Sequence, residues 1–262
     1  MTEGPMESDI YESTLRIRSE HVNRNRVLRT SALFRLLQET SIAHTQDLGF
    51  GREKTLDKGL LWVISRQVIS IRKMPCYDDD IVIRSWPGDM LHVFFPRFYE
   101  IWSDGECIMQ GEALWLLMDA ETRTMIFPAE HGILIPGIPD GPASGISSAI
   151  RAPQDAVPVL SQTMVPRFSE IDINGHINNA NYFDIMDDLL PEEVTGHFRP
   201  ARIEAEYLTE IRPDHPYRIR MFRNPEGIWY TEGIREDMPV TDAPCARPLF
   251  RIRETFSEIP PF

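Results

Sequence analysis

The sequence predicts an α+β protein made of two tandem copies of one unit, each a long helix wrapped by an antiparallel sheet. Three observations predict it. An amphipathic helical stretch followed by a run of strand-like segments occurs twice, with helix starts near residues 31 and 178. Between the two occurrences lies Ile135 to Pro158, with five prolines and three glycines; proline fixes φ and removes a donor, so such a run does not readily join a sheet or helix. Finally, a helix has to bury its apolar stripe and a curved sheet needs its concave face filled, and one long helix inside one antiparallel sheet meets both needs. The expected organisation is a first unit at 8–134, a linker at 135–158 and a second unit at 159–262.

In the first unit, Tyr11 to Arg18 reads as a strand. Thr30 or Ser31 offers an N-cap, and Leu33, Leu36, Leu37, Thr40 and Ala43 share one helical face up to a stop at Gly49. The period then changes. Leu61, Val63, Ile69 and Ile71 have one parity and Trp62, Ile64 and Val68 the other, as in a strand buried on both faces. Ile81 to Trp86 is another strand. Arg97 to Trp102 and Glu106 to Met118 flank Ser103-Asp104-Gly105, a strong hairpin signal. Met125 to Phe127 comes after a further turn.

The second unit repeats this order. A strand is expected within Val157 to Phe168, and Asn178 or Asn179 caps a helix through about Leu190, stopped by Pro191. Strands are expected at about Arg202–Ile211, Tyr217–Phe222, Ile228–Arg235 and Pro248–Thr255, the middle two joined by the turn Asn224-Pro225-Glu226-Gly227.

Forty acidic against twenty-seven basic residues leave a formal net charge of −13, which argues against non-specific nucleic-acid binding. No apolar run approaches the roughly 18–20 residues of a membrane span. The start, MTEGPMESDIYE, has no secretory or transit features, so the expected location is cytoplasmic. The three cysteines, Cys76, Cys107 and Cys245, form no C-x-x-C pair and read as inert buried thiols.

The most informative stretch is Asp172-Ile-Asn-Gly-His-Ile-Asn-Asn-Ala-Asn-Tyr182. On an extended backbone Asp172, Asn174 and His176 would point the same way. Asn178 and Asn179 then open a helix whose first amides lack intrahelical acceptors. A carboxylate, an amide and an imidazole beside partially positive N–H groups suit a carbonyl whose oxygen becomes negative in a transition state. A capped surface turn carries the same residues, and chemistry alone leaves the two readings even. Metal binding is not expected, since His176 has no His at i+4.

The pattern D-x-N-x-H-x-N-N-x-x-Y closely resembles the signature of the acyl-acyl-carrier-protein thioesterases of plant plastids and bacteria, which are tandem hot-dog proteins. Leu33-Phe-Arg-Leu-Leu-Gln-Glu-Thr40 looks like that family's first helix, and Leu61-Trp-Val-Ile-Ser-Arg66 like the strand after it. Glu206-Tyr-Leu-Thr-Glu-Ile211 is similar to its E-Y-x-x-E-C segment, with Ile211 in place of the Cys. The likeness spans about residues 8–255.

The resemblance implies hydrolysis of a fatty acyl thioester on acyl carrier protein, with Asp172, Asn174, His176 and Glu210 as catalytic residues and no thiol nucleophile after Glu210. Helix-start amides around Asn178 and Asn179 would polarise the carbonyl. Glu20 to Arg26, the equivalent region of the first unit, lacks the D-x-N-x-H spacing, so one working site per chain is expected. The first unit would then supply the acyl pocket, with Leu33, Leu37, Trp62, Ile64, Ile69 and Trp115 as its lining. The implied partner is an acyl carrier protein with a phosphopantetheine-linked acyl chain. Such a carrier is acidic, which directs attention to Arg199, Arg202, Arg212, Arg218, Arg220 and Arg223 as a docking patch. No cofactor and no metal is implied, and a homodimer is compatible. Two alternatives share the pattern: an acyl-CoA thioesterase, and a non-catalytic acyl-binding module.

Overall fold

The computed structural model describes residues 10–258 except 140, 143–144, 147–148, 154 and 237–247. The chain divides into two compact units, Met1–Ile146 and Ser147–Phe262, and the division falls inside the Pro-rich stretch. Part of that stretch is anchored rather than free. Ile135 is buried, and the Ile138 N–H donates to the Pro87 carbonyl at 2.8 Å.

The first unit contains strand β1 (Tyr11–Arg16), helix α1 (Thr30–Thr45) and strands β2 (Leu60–Ile71), β3 (Asp80–Pro87), β4 (Phe95–Ser103) and β5 (Glu106–Asp119). Their order across the sheet is β1-β3-β4-β5-β2, with antiparallel neighbours throughout. The second contains β6 (Val157–Met164), α2 (Asn181–Leu189), α3 (Glu192–His197), β7 (Phe198–Tyr207), β8 (Tyr217–Arg223), β9 (Trp229–Arg235) and β10 (Phe250–Glu258). Its sheet runs β6-β8-β9-β10-β7, again antiparallel. Numbered within their own units, both sheets read first, third, fourth, fifth, second, with the main helix between the first and second strands.

Helix α1 buries Leu33, Leu37, Thr40, Ser41 and His44 along one side. Its start differs from expectation. Thr30 and Ser31 lie inside the first turn, both buried, and Arg29 holds the N-cap position without a side-chain cap. Burial of the preceding Val27 and Leu28, at 8% and 1% exposure, fixes the entry of the helix instead, and tertiary packing overrides capping preference.

The two parities of β2 also have a physical reason. A bulge between Ile64 and Arg66 shifts the register against β5. Trp62 and Ile64 before the bulge, and Ile69 and Ile71 after it, therefore face the same side. At the β4–β5 hairpin, Asp104 and Gly105 take φ of 53° and 78°, the pair of positive values a two-residue I′ turn needs. Met125 makes only an isolated bridge to Met118, so the expected strand there is absent among the described residues. Helix α3 was not expected; Pro191 followed by two glutamates in its first turn is its signal. Strand β7 ends at Tyr207, four residues early, because the Leu208 and Thr209 amides both turn to the Leu249 carbonyl. Among the described residues no helix is long and apolar enough to cross a membrane.

Among the described residues, one inward-facing side chain of the second sheet is a carboxylic acid. Glu254 on β10 stands between Ile203 and Trp229 at 2% exposure, and its Oε2 has no hydrogen-bond partner. Burial, and then the nearby Asp187, raise its pKa to about 8. An unfolded chain releases this proton near the ordinary carboxylate value, so the folded state holds more protons in between, and stability falls as pH rises from about 4.5 through about 8. Glu254→Gln keeps the neutral form. Its melting temperature is expected to match the parent near pH 4.5 and exceed it by about 5 °C or more at pH 9. Differential scanning calorimetry at both pH values checks this, and parallel curves for the two proteins would refute it.

Candidate active site

The stretch Asp172 to His176 is a tight turn, which corrects the extended reading. Ile171 and Ile177 form an antiparallel bridge at its base. Within it the Asp172 N–H donates to the His176 carbonyl and the Gly175 N–H to the Asp172 carbonyl, each at 3.0 Å. Asp172 Oδ1 accepts the Asn174 N–H at 2.8 Å, an Asx-turn that competes with extended backbone. Gly175 completes the reversal at φ 80°, a conformation most residues avoid. Asp172 and His176 consequently face each other across the turn, with Oδ1 3.9 Å from Nδ1. Asn174 sits at the exposed tip, and no hydrogen bond joins its side chain to either of them among the described residues.

The asparagine run braces the entry to the next helix. The Asn178 N–H and the Asn181 side-chain amide both donate to the Glu170 carbonyl, at 2.9 and 2.7 Å. Asn178 Oδ1 accepts the Ala180 N–H at 2.9 Å, and its Nδ2 lies 3.4 Å from Asp172 Oδ2. Asn178 thus caps the turn before the helix, and α2 itself begins at Asn181 with no side-chain cap. The N–H groups of Asn179 and Tyr182 have no acceptor at this turn among the described residues. The Asn179 carbonyl accepts the Tyr207 hydroxyl at 3.4 Å. The Tyr182 ring is buried, stacking on Phe250 at 4.2 Å and on Tyr207 at 6.0 Å. Burial holds its phenol well above the ordinary value, and the neighbouring Tyr217, Tyr207, Asp172 and Glu210 push in the same direction.

Glu210 arrives from the far end of β7. The Ile177 N–H donates to the Ile211 carbonyl at 2.9 Å, and this brings Glu210 Oε1 to 4.0 Å from His176 Nε2. Its other oxygen is 3.6 Å from Arg212 Nη2. His176 Nδ1 lies 3.1 Å from the Ile177 carbonyl; donating there, it leaves the Nε2 lone pair directed towards Glu210. The result is a row, Asp172–His176–Glu210, whose side chains are 16%, 17% and 26% exposed. The sequence alone places Arg212 in the docking patch and gives no role to Glu170. The run of asparagines in need of an acceptor is the signal for the second.

The first unit contains the same turn with other residues. Val22 and Leu28 form the bridge, the Asn23 N–H donates to the Val27 carbonyl, and Asn23 Oδ1 accepts the Asn25 N–H. Arg26 takes the positive φ of Gly175, at 60°. The Leu28 N–H donates to the Pro75 carbonyl at 2.8 Å, as Ile177 does to Ile211. Asn23, Val27 and Met74 therefore occupy the places of Asp172, His176 and Glu210.

Of the expected pocket residues, Leu33, Leu37, Ile64, Ile69 and Trp115 are buried, and Trp62 is half-buried with its ring edge-on to Phe95 at 5.0 Å. All of those on strands share the face towards α1. The arginine patch is not an array of free cations. Arg202 pairs with Glu204, Arg212 with Glu210, Arg218 with Glu236 and Arg220 with Glu232, while Arg199 donates to the Thr195 and Phe198 carbonyls. Arg223 lies over the Trp229 ring, on the opposite parity of β8 from Arg218 and Arg220. Cys76 is exposed rather than buried, Cys107 is half-buried with its thiol pushed up mainly by burial, and Cys245 lies outside the described residues.

Comparison with known proteins gives the same division. Residues 8–130 match the model of the acyl-ACP thioesterase N-terminal domain and residues 156–235 that of the C-terminal domain. The chain is 25% identical over 222 residues to a chloroplastic dodecanoyl-[acyl-carrier-protein] hydrolase of Cinnamomum camphora, covering 78% of this chain and 57% of the relative. It is 26% identical over 221 residues to oleoyl-acyl carrier protein thioesterase 2 of Arabidopsis thaliana, covering 78% and 60%. The chain thus spans less than two thirds of these curated relatives. Among solved structures, an acyl-ACP thioesterase from Bacteroides thetaiotaomicron matches with a TM-score of 0.81 at 25% identity, covering 96% of this chain and 99% of the other. The 12:0-ACP thioesterase from Umbellularia californica shares the fold with a TM-score of 0.80 at 18% identity, covering 98% and 100%. With both domain models matched in order and the hot-dog architecture repeated, the chain belongs to the acyl-ACP thioesterase family.

Proposed function

We propose that this protein hydrolyses the thioester of fatty acyl-acyl carrier protein and releases the free fatty acid, with Asp172, His176 and Glu210 as its working row. The observation that carries the reading is the approach of His176 Nε2 and Glu210 Oε1 to 4.0 Å, with the Asn179 and Tyr182 amides, unclaimed among the described residues, a few positions on in the chain. A water at ordinary hydrogen-bond length from both acceptors would subtend about 90° at its oxygen, close to what its two protons need. The names of the relatives, hydrolases and thioesterases of acyl carrier proteins, support the substrate class.

The chemistry follows from the placement. The water oxygen attacks the thioester carbon while its proton passes to His176 or Glu210, the two candidate bases. Negative charge grows on the carbonyl oxygen and is met by the Asn179 and Tyr182 N–H groups at the start of α2. Collapse breaks the C–S bond, and the departing thiolate takes the proton back. Both carboxylate oxygens of Asp172 are engaged, with the Asn174 N–H and Asn178 Nδ2, which suits an orienting role for the imidazole better than nucleophilic attack. Asn174, at the turn tip, is left as a substrate contact. The acyl chain is assigned to the first unit, along Leu33, Leu37, Trp62, Ile64, Ile69 and Trp115. A cytoplasmic location and a homodimer belong to the same proposal; cell fractionation and light scattering read them out.

His176→Ala and Glu210→Gln are each expected to lower turnover of dodecanoyl-carrier protein by about 10²-fold or more, the scale of losing a positioned base. Asp172→Asn, which keeps an acceptor for the Asn174 amide and removes the charge, is expected to fall comparably. Circular dichroism establishes that each variant is folded. Near-full turnover in folded His176→Ala and Glu210→Gln would move the site elsewhere, and a strong preference for dodecanoyl-CoA over the carrier substrate would overturn the substrate assignment alone. Cys76→Ala, Cys107→Ala and Cys245→Ala, by contrast, should each keep turnover within about twofold of the parent, because none of these thiols stands in the row. A large loss in any one of them would indicate thiol chemistry.

A further inference from the structure

The concave face of the first unit contains a charge that the proposed chemistry does not use. Alternation along β4 turns Phe95, Arg97, Tyr99 and Ile101 towards α1, and Arg97 is only 5% exposed. Burying a cation is costly unless it is paired, yet the partners of Arg97 among the described residues are neutral. Nη1 donates to His44 Nδ1 at 2.9 Å and to Ser85 Oγ at 3.1 Å, and Nη2 to Thr45 Oγ1 at 3.0 Å. His44 can accept because burial, and then Arg97 itself, lower its pKa to about 4. The Tyr99 hydroxyl is occupied with Ser41 Oγ at 2.7 Å. Among the described residues no carboxylate pairs with Arg97.

A guanidinium has five N–H donors, and three are used. Nε–H and one N–H of Nη2 have no acceptor among the described residues. The Nε–Nη2 edge is one on which a carboxylate docks with two parallel bonds. Beside Arg97 the sheet is apolar. Phe95, two residues along the strand, pairs with Trp115 and packs against Trp62, and Trp115 pairs with Ile64. The cross-strand neighbour of Arg97 on β5 is the small Ala113. The buried indole N–H of Trp62 also has no acceptor.

We propose that Arg97 is a carboxylate seat inside the first unit. It receives an aliphatic carboxylate whose chain lies along Trp62, Ile64, Phe95 and Trp115 and whose head group takes the free Nε and Nη2 donors. The proposal rests on the reading of the first unit as the acyl-holding half. The ligand class is a free long-chain carboxylate.

Isothermal titration at pH 8 with dodecanoate and with dodecanol, below their aggregation limits, tests the seat without needing turnover. The parent protein and His176→Ala are both expected to bind dodecanoate at least about tenfold more tightly than dodecanol, the order of one charge-assisted bidentate contact. Arg97→Met should abolish that preference and Arg97→Lys should retain part of it, with circular dichroism confirming the fold. Equal affinity for the two ligands in the parent, or an undiminished preference in folded Arg97→Met, overturns the proposal. Should Arg97→Met not fold, an undiminished preference in Arg97→Lys overturns it in the same way, since a point ammonium cannot reproduce the fork. Loss of the preference in His176→Ala alone would place the carboxylate at the catalytic row and likewise overturn it. Inhibition of turnover by dodecanoate, relieved in Arg97→Met, is expected as well. The titration result is independent of the role given to His176, so the seat and the catalytic reading can fail separately.

Discussion

In each unit one backbone hydrogen bond ties the turn before the main helix to the segment beyond the second strand. In the second unit it runs from the Ile177 amide to the Ile211 carbonyl, in the first from Leu28 to Pro75. The residues that make it are buried: Ile177 at 1% and Ile211 at 2%, Leu28 at 1%. Without this brace His176 and Glu210 belong to separate pieces of chain with nothing to align them. With it, their distance is set by the backbone rather than by two flexible side chains, which is how a polar row can be held ready at modest exposure.

The interiors of the two units handle polarity differently. The first places a neutral imidazole, a guanidinium and several hydroxyls in a connected set beside the last turn of α1. The second leaves Glu254 without a partner for one oxygen. Burial moves His44 down to about 4 and Glu254 up to about 8, towards the uncharged form in both cases, because a low-dielectric surrounding penalises whichever state carries charge. Connected polar groups give a defined geometry, whereas an isolated one chiefly adds cost.

Much of the architecture was legible because it depends on periodicity and turn chemistry. The Asp104-Gly105 hairpin, the helical faces and the repeat of helix then strands are local signals. The row itself was legible only through its residue types. The spacing of Asp172, Asn174 and His176 suggested a shared extended face, but the Asx-turn and Gly175 reverse the chain there. Two of the alternate positions, Asp172 and His176, do face each other, but across a reversed backbone rather than along an extended one. The bulge after Ile64 was hidden for a related reason, since one extra residue changes parity without changing composition. The pairing of Arg202, Arg218 and Arg220 was out of reach as well: each acidic partner comes from cross-strand register or a nearby strand position, and register is a property of the assembled sheet.

The repeated turn has an evolutionary consequence. A homodimer of single units must accept every substitution twice, once in each copy, so a residue required at one site cannot be discarded at its symmetry mate. Joining two copies in one polypeptide removes that restriction. Asn23, Val27 and Met74 stand where Asp172, His176 and Glu210 stand in the other unit, on a turn whose backbone bonds are retained. The backbone of the turn is present in both units, and the three polar side chains of the row in only one of them. The interior of the first unit is thereby released from matching that of the second residue for residue, as Arg97 in one and Glu254 in the other already show.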